Sequence, residues 1–289
     1  MFASNYLLER AFYYAGENQM KDARDYLNFY MEDIKELKCH DKLVFGNHRM
    51  CGGCKPNDTY INAPLSWEVL QKKGNKILLV NEFCLDWECY DGNCMFLGPA
   101  INTTWEKSTI REDLNTSFFE NSFCEYEKEL IVTTEVESKP NPVHGNDGGG
   151  VTHDRIFLLS YDEVLKYYSE RVGNPLSDED TECIIQKISA TDDRYFNLGN
   201  SSAKTELLMA DIIRGRDGNK DKTVIYREPY SWWLRNPGYE QKDVCLVTHS
   251  GLIDFDGIRS SADEIGVRPA MWIDLDIAKE LICKETDKA

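Results

Sequence analysis

Cys51-Gly52-Gly53-Cys54 is the stretch of the chain best suited to chemistry. A C-x-x-C pair supplies half of a tetrahedral zinc site or runs thiol–disulfide exchange. Zinc needs two further donors, and Cys39, His40 and His48 lie near enough in sequence to complete a set with Cys51 and Cys54. The ten cysteines include no second C-x-x-C, which weakens the zinc reading. Exchange chemistry wants the pair at a helix N-terminus, whereas Gly52, Gly53, Pro56 and Asn57 spell a loop. Free loop thiols are therefore the simplest expectation, with zinc at Cys39, His48, Cys51 and Cys54 as the functional alternative. Cys84, Cys89 and Cys94 read as core thiols.

Asp217-x-Asn219-x-Asp221 copies the start of an EF-hand calcium loop, and Glu228 falls at its twelfth position. The sixth position, where that loop needs Gly, holds Lys222, so a polar turn is expected before a calcium site. Cys245 and His249 share one face of an expected strand over 243–249. At strand rise they stand about 13 Å apart, too far for a direct thiolate–imidazole pair. Nucleophile-elbow, P-loop, dinucleotide and H-E-x-x-H patterns are missing. The sequence therefore favours a non-catalytic protein. Its best ligand-facing candidates are Tyr230, Tyr239, His249, Asp254, Asp256 and Arg259, polar or aromatic residues of the 230–262 loops.

The elements that must carry these residues change in texture along the chain. Residues 4–38 predict an N-terminal helical hairpin, with one apolar stripe through Leu7, Leu8, Ala11, Phe12 and Tyr14 and a second through Met20, Ala23, Leu27, Tyr30, Met31, Ile34 and Leu37. That divides the chain into a hairpin over 1–41 and a larger domain over 42–289. Residues 65–70 and 76–80 flank Lys73-Gly74-Asn75, a β-hairpin signal. Short helices are expected over 105–114 and 125–131, a buried strand over 155–159, and a Ser160-x-x-Glu163 capping box before a further helix. The Gly-, Pro- and Asn-rich segment 140–150 predicts a mobile loop. Helices scattered among antiparallel hairpins define an α+β fold.

Charge narrows the partners. With a formal net charge of -17, the chain is repelled by nucleic acid and by anionic membrane surfaces. No segment approaches the roughly 20 apolar residues that span a bilayer, and residues 1–10 do not read as a signal peptide. A cytoplasmic protein is expected, with an unidentified protein or small ligand as its partner and self-association through the N-terminal helices as one option.

Several stretches, taken together, resemble a bacterial domain family of unknown function frequent in anaerobic Gram-positive bacteria. They run from Phe45-Gly46 through Trp67-Glu68-Val69-Leu70 and Thr104-Trp105-Glu106-Lys107-Ser108-Thr109-Ile110-Arg111 to Phe157-Leu158-Leu159-Ser160. The sharpest are Trp232-Trp233-Leu234-Arg235-Asn236-Pro237-Gly238 and Gly266-Val267-Arg268-Pro269-Ala270-Met271-Trp272-Ile273. The resemblance covers about residues 43–275, with Asn236 where the family motif usually has Ser. It implies a C-type-lectin-like domain, distantly related to formylglycine-generating enzymes and to the variable proteins of diversity-generating retroelements. Large apolar area and the cost of an unpaired charge inside an apolar strand give structural roles to Trp67, Trp105, Arg111, Trp233, Arg235, Arg268, Pro269 and Trp272. The calcium-dependent sugar motifs of animal lectins, Glu-Pro-Asn and Trp-Asn-Asp, do not occur. The expected function is thus a binding module; the alternative is a metal-dependent oxygenase or redox enzyme related to formylglycine-generating enzymes.

Overall fold

Lys73-Gly74-Asn75 turns the chain back between β2 (Tyr60–Lys73) and β3 (Lys76–Asn81), with Gly74 at φ +62°, where side chains are strained. This is the hairpin read from the sequence. Ile77-Leu78-Leu79-Val80 is buried on both faces because β3 lies inside a larger sheet, between β2 and β14 (Pro269–Asp274). The sheet runs from β1 (Lys42–Cys51) through β2, β3 and β14 to β4 (Ile131–Val132), and β7 (Phe157–Leu158) also pairs with β14. A second sheet has the order β11 (Trp232–Pro237), β12 (Asp243–Val247), β13 (Leu252–Arg259), β8 (Tyr195–Asn197). Two ribbons complete the strands, β5 (Thr134–Val136) with β6 (Thr152–Asp154) and β9 (Thr205–Ile213) with β10 (Lys222–Tyr230). The pairings of these strands are antiparallel.

This computed structural model describes Ile34 and residues 37–51, 60–85, 88–92, 102–169, 175–191, 193–198, 203–213 and 222–277. The expected N-terminal hairpin lies almost wholly outside the described residues, although Ile34 is buried in the core. The helices are short: α1 (Thr109–Asp113), α2 (Phe119–Ser122), α3 (Glu125–Leu130), α4 (Tyr161–Tyr168) and α5 (Asp178–Thr191). Ser160 and Glu163 form the capping box of α4, and Ser177 Oγ accepts the Asp180 amide at the start of α5. The protein therefore mixes α and β structure, with antiparallel strands dominant. Among the described residues no helix is long and apolar enough to cross a membrane.

Four tryptophans, Trp67, Trp105, Trp232 and Trp233, are fully buried. Burial of such a side chain contributes about 1.5–3 kcal/mol, provided the indole N–H finds an acceptor. Each does: Phe45 O at 2.6 Å, Asp154 Oδ2 at 2.9 Å, Ala203 O at 3.1 Å and Glu88 O at 2.8 Å respectively.

The two sheets are joined by polar groups buried between them. Arg235, on β11, is only 4% exposed. Its Nε donates to Glu137 O at 2.9 Å, and its Nη1 donates to Leu158 O at 2.7 Å and Glu163 Oε2 at 2.5 Å. The next residue, Asn236, accepts the Tyr161 amide at 2.9 Å and donates to Lys139 O at 2.9 Å. One strand thereby fixes the loop after β5, the strand β7 and the start of α4.

Three sequence expectations change. The 140–150 loop, read as mobile from its composition, is pinned by the buried Asn141, whose Nδ2 donates to Pro237 O and Phe255 O at 2.8 Å each. Its Oδ1 accepts the Val143 and His144 amides. The strand expected over 155–159 pairs only at Phe157 and Leu158, because Asn115 Oδ1 takes the Arg155 and Ile156 amides. The strand expected to reach His249 ends at Val247, since Gly251 at φ +85° and the Thr248–Ser250 hydroxyl contact make a turn there. Cys245 and His249 therefore do not share a strand.

Removing the Glu163 charge leaves Arg235 buried with neutral partners. Glu163→Gln is expected to lower the urea unfolding free energy by about 3 kcal/mol. A loss no larger than that of the exposed control Glu179→Gln would refute this role.

Candidate functional site

Cys39 and Cys51, two of the proposed zinc ligands, lie at opposite ends of β1. Cys39 and His40 precede β1, His48 lies six steps beyond its first residue, and Cys51 ends it. At strand rise, Lys42 is about 20 Å from His48 and about 30 Å from Cys51. One ion cannot bridge them. His40 instead has its Nδ1 2.7 Å from Glu68 Oε1, on a backbone at φ +68°. His48 packs 5.5 Å from the Phe118 ring, and burial pushes its pKa down. Cys39 borders a cleft of about 680 Å³ with Lys72, Lys166 and Asp178, where Lys166 and Asp178 already pair at 2.7 Å. Cys54, Asp217, Asn219 and Asp221 lie outside the described residues, while Glu228 is exposed on β10.

Among the described residues no three His, Cys, Asp or Glu side chains are grouped to hold a metal ion. Burial pushes the Cys84 thiol up to about 12 and Cys245 well above its ordinary value, so both are protonated at neutral pH. Cys245 Sγ donates to Pro237 O at 3.0 Å, a packing role.

The six ligand-facing candidates fall at two ends of the second sheet. Tyr230 and His249 lie at the end where β11 begins and β12 finishes, and the His249 amide donates to Ser231 Oγ there. Tyr239, Asp256 and Arg259 lie toward the other end, while Asp254 stands on β13 level with Leu246 and Trp233, nearer the first. The separation follows from the length of β11, about 17 Å over Trp232–Pro237. Arg259 is spent on Asp243 at 3.4 Å and Glu240 at 3.8 Å.

The Tyr239 end is the assembled one. Asp256 Oδ1 is 2.7 Å from His144 Nε2, and its Oδ2 accepts from Arg194 Nη1 at 3.3 Å. The His144 ring meets Tyr239 edge-on, with centroids 4.8 Å apart. Arg194 leads into Tyr195, which pairs with Asp254 across β8 and β13. Chain neighbours, ion pairs and a ring contact thus link Tyr195, Arg194, Asp256, His144 and Tyr239 in succession. Tyr195, at 56% exposure, and Tyr239, at 54%, carry most of its open aromatic area. Ile258, on the same strand as Asp256, is also exposed.

Backbone constraints hold this surface in place. The Tyr239 amide donates to Asp256 O at 2.7 Å, and Asn146 Nδ2 donates to Gly238 O and Tyr239 O, each at 2.7 Å. Gly257, at φ +66°, passes so near β12 that an added Cβ would stand 2.1 Å from Val244 O. Only glycine fits, and its amide donates to Asp254 Oδ1 at 3.0 Å. Burial, and secondarily the charge of Asp256, raises the Asp254 pKa. Sequence reasoning missed His144, Arg194 and Tyr195. They lie far from 230–262 in the chain, and only the pinned loop and the β8–β13 pairing bring them in.

The remaining singled-out residues lie in the core and its margins. Trp67, Trp105 and Trp233 are fully buried; Pro269 is the first residue of β14; Trp272 is half-buried on the same strand. Arg111 contacts the buried Asp154 carboxylate through Nε and Nη2, at 2.8 Å each. Arg268 is buried, donating to Asn81 O at 2.8 Å and Glu68 Oε2 at 3.3 Å, with its guanidinium over the Trp232 and Tyr168 rings.

Residues 74–275 match the domain-of-unknown-function family DUF6273, and the chain belongs to that family. No curated protein matches the chain. No solved structure matches it.

The hydrogen bond from Glu68 raises the His40 pKa above 6.5. A raised folded-state value means that the protonated imidazole contributes stability below pH 6.5, lost as pH rises through the folded value. Asn also tolerates positive φ, so His40→Asn removes the titration and spares the turn. The stability gap between wild type and His40→Asn, from urea melts, is expected to be widest below pH 6.5 and to narrow as pH rises through the raised folded-state value. A gap independent of pH would show that His40 acts through packing alone.

Proposed function

We propose that this chain is a non-catalytic binding module that recognises its partner through the Tyr195–Arg194–Asp256–His144–Tyr239 surface. The observation that carries this reading is the placement of exposed apolar side chains. Among the described residues the large exposed ones are Tyr126, Val151, Tyr195, Tyr239 and Ile258, and the last three belong to the second sheet and its β11–β12 connection. Open aromatic rings beside paired polar groups suit recognition, because tyrosine offers area at small conformational cost and the polar groups set orientation. The short strands, scattered helices and loop-borne surface fit a C-type-lectin-like scaffold, on which loops vary while the sheets persist. We take that as the architecture and keep sugar specificity out of it, because fold alone does not carry a ligand. Burial keeps the Cys84 and Cys245 thiols protonated, so these two do not serve the redox alternative as thiolates.

The test uses a partner recovered by crosslinking from source-cell lysate and then purified. The double substitution Tyr195→Ala with Tyr239→Ala is expected to weaken its binding by about tenfold or more. Tyr126→Ala, exposed on α3, is the control and should leave affinity unchanged. Equal affinity for all three proteins would remove this surface as the binding site.

A further inference from the structure

Asp254 stands apart from the other carboxylates of the surface. Asp256 has His144 and Arg194, Asp243 has Arg259, and Glu240 has Lys242. Asp254 takes backbone hydrogen bonds from Gly257 and Asp256, and among the described residues no cation is bonded to it. It is half-buried beside Asp256, a setting in which an anion gains from a cation brought by another molecule. Its cross-strand neighbour is Tyr195, and directly paired residues of antiparallel strands project on the same side of the sheet. Burial alternates from Leu252 to Asp256, with Ile253 and Phe255 inside, so Asp254 and its neighbour Tyr195 take the face turned from that core. On the same face, Leu246 and Trp233 lie progressively deeper, Trp233 beneath Tyr90 at 5.8 Å. The face is thus closed at β11 and open at β8. An exposed aromatic ring stands there beside a carboxylate that lacks a counter-ion.

We infer that Asp254 and Tyr195 together seat a lysine or arginine side chain from a protein partner. This inference rests on the binding-surface reading above and names the chemistry of the occupant. The carboxylate meets the cation's charge, and the tyrosine face accepts the same cation and its methylene stem. A chain of net charge -17 draws basic partners over long range, and this pair gives the approach an endpoint.

The experiment titrates the full chain, held in chelator at about 0.15 M salt to screen diffuse attraction, with terminally blocked tri-lysine and tri-arginine peptides. Nuclear magnetic resonance shifts report the contact, and blocked triglycine is the neutral control. Shifts are expected at Tyr195, Ile253 and Asp254 with both basic peptides and not with triglycine. Asp254→Asn keeps the acceptor for Gly257 and removes the charge; it should raise the dissociation constant about fivefold, the size of one charge-assisted contact. Tyr195→Ala should raise it about threefold. Glu129→Gln removes the same charge from α3 and should change nothing. Melting temperatures confirm that each variant is folded. If Asp254→Asn and Glu129→Gln weaken binding equally, attraction is diffuse and the seat is wrong, while the Tyr195→Ala, Tyr239→Ala double substitution against the purified partner still decides the surface. If calcium, added without chelator, moves the same resonances and displaces the peptides, the site takes a metal ion and the inference is overturned.

Discussion

A guanidinium buried between two sheets is the constraint on which this structure turns. Out of water, the Arg235 charge costs several kcal/mol unless every donor finds an acceptor. Its fork therefore dictates where three separate pieces of chain must lie: Glu137 after β5, Leu158 on β7, and Glu163 in the first turn of α4. Glu163 also accepts the Ser160 amide, so the same carboxylate ends a helix and neutralises a strand. Around the same point, Arg235 O accepts from Tyr90 and Ser138, and Asn236 binds Lys139 and Tyr161. Side chains of varied chemistry could fill an apolar interface of this volume. Few could replace this directional set, because each lost partner strands a buried polar group.

The lattice has its functional consequence at the loop it holds. With residues 137–141 fixed, Asn141 reaches across to Pro237 O and Phe255 O and turns its own loop, placing His144 against Asp256. Tyr239 follows, held through Asp256 O and Asn146. A surface built from loops thus acquires the fixed geometry that specific recognition needs. Its parts come from β8, the 140–150 loop, the β11–β12 connection and β13, which no local stretch of sequence could reveal.

Legibility divides along that line. The Lys73–Asn75 turn, the Ser160–Glu163 capping box and the apolar run of β3 were written in local residue types, because local physics alone forms them. The resemblance to a domain family of unknown function was likewise legible, and residues 74–275 match such a family. The site was legible only in part. Asp256 and Tyr239 stood out in 230–262, but Tyr230 and His249 lie at the opposite end of the sheet, with Asp254 nearer to them. Composition misread the 140–150 loop: Gly, Pro and Asn describe a chain without regular structure, and Asn141 shows that irregular backbone can still be fully bonded. Spacing suggested that Cys39 and Cys51 could meet, yet Cys51 is the last residue of a ten-residue strand that begins three residues after Cys39.

Amide hydrogen exchange across residues 137–146 tests the account most directly. If buried polar contacts hold this loop, the amides of Asn141, Val143, His144 and Gly145 should exchange about as slowly as those of β12, and Asn141→Ala should release them together with Tyr239. Exchange at the rate of an open loop in the wild-type protein would contradict it, leaving the surface at Tyr239 without a fixed shape.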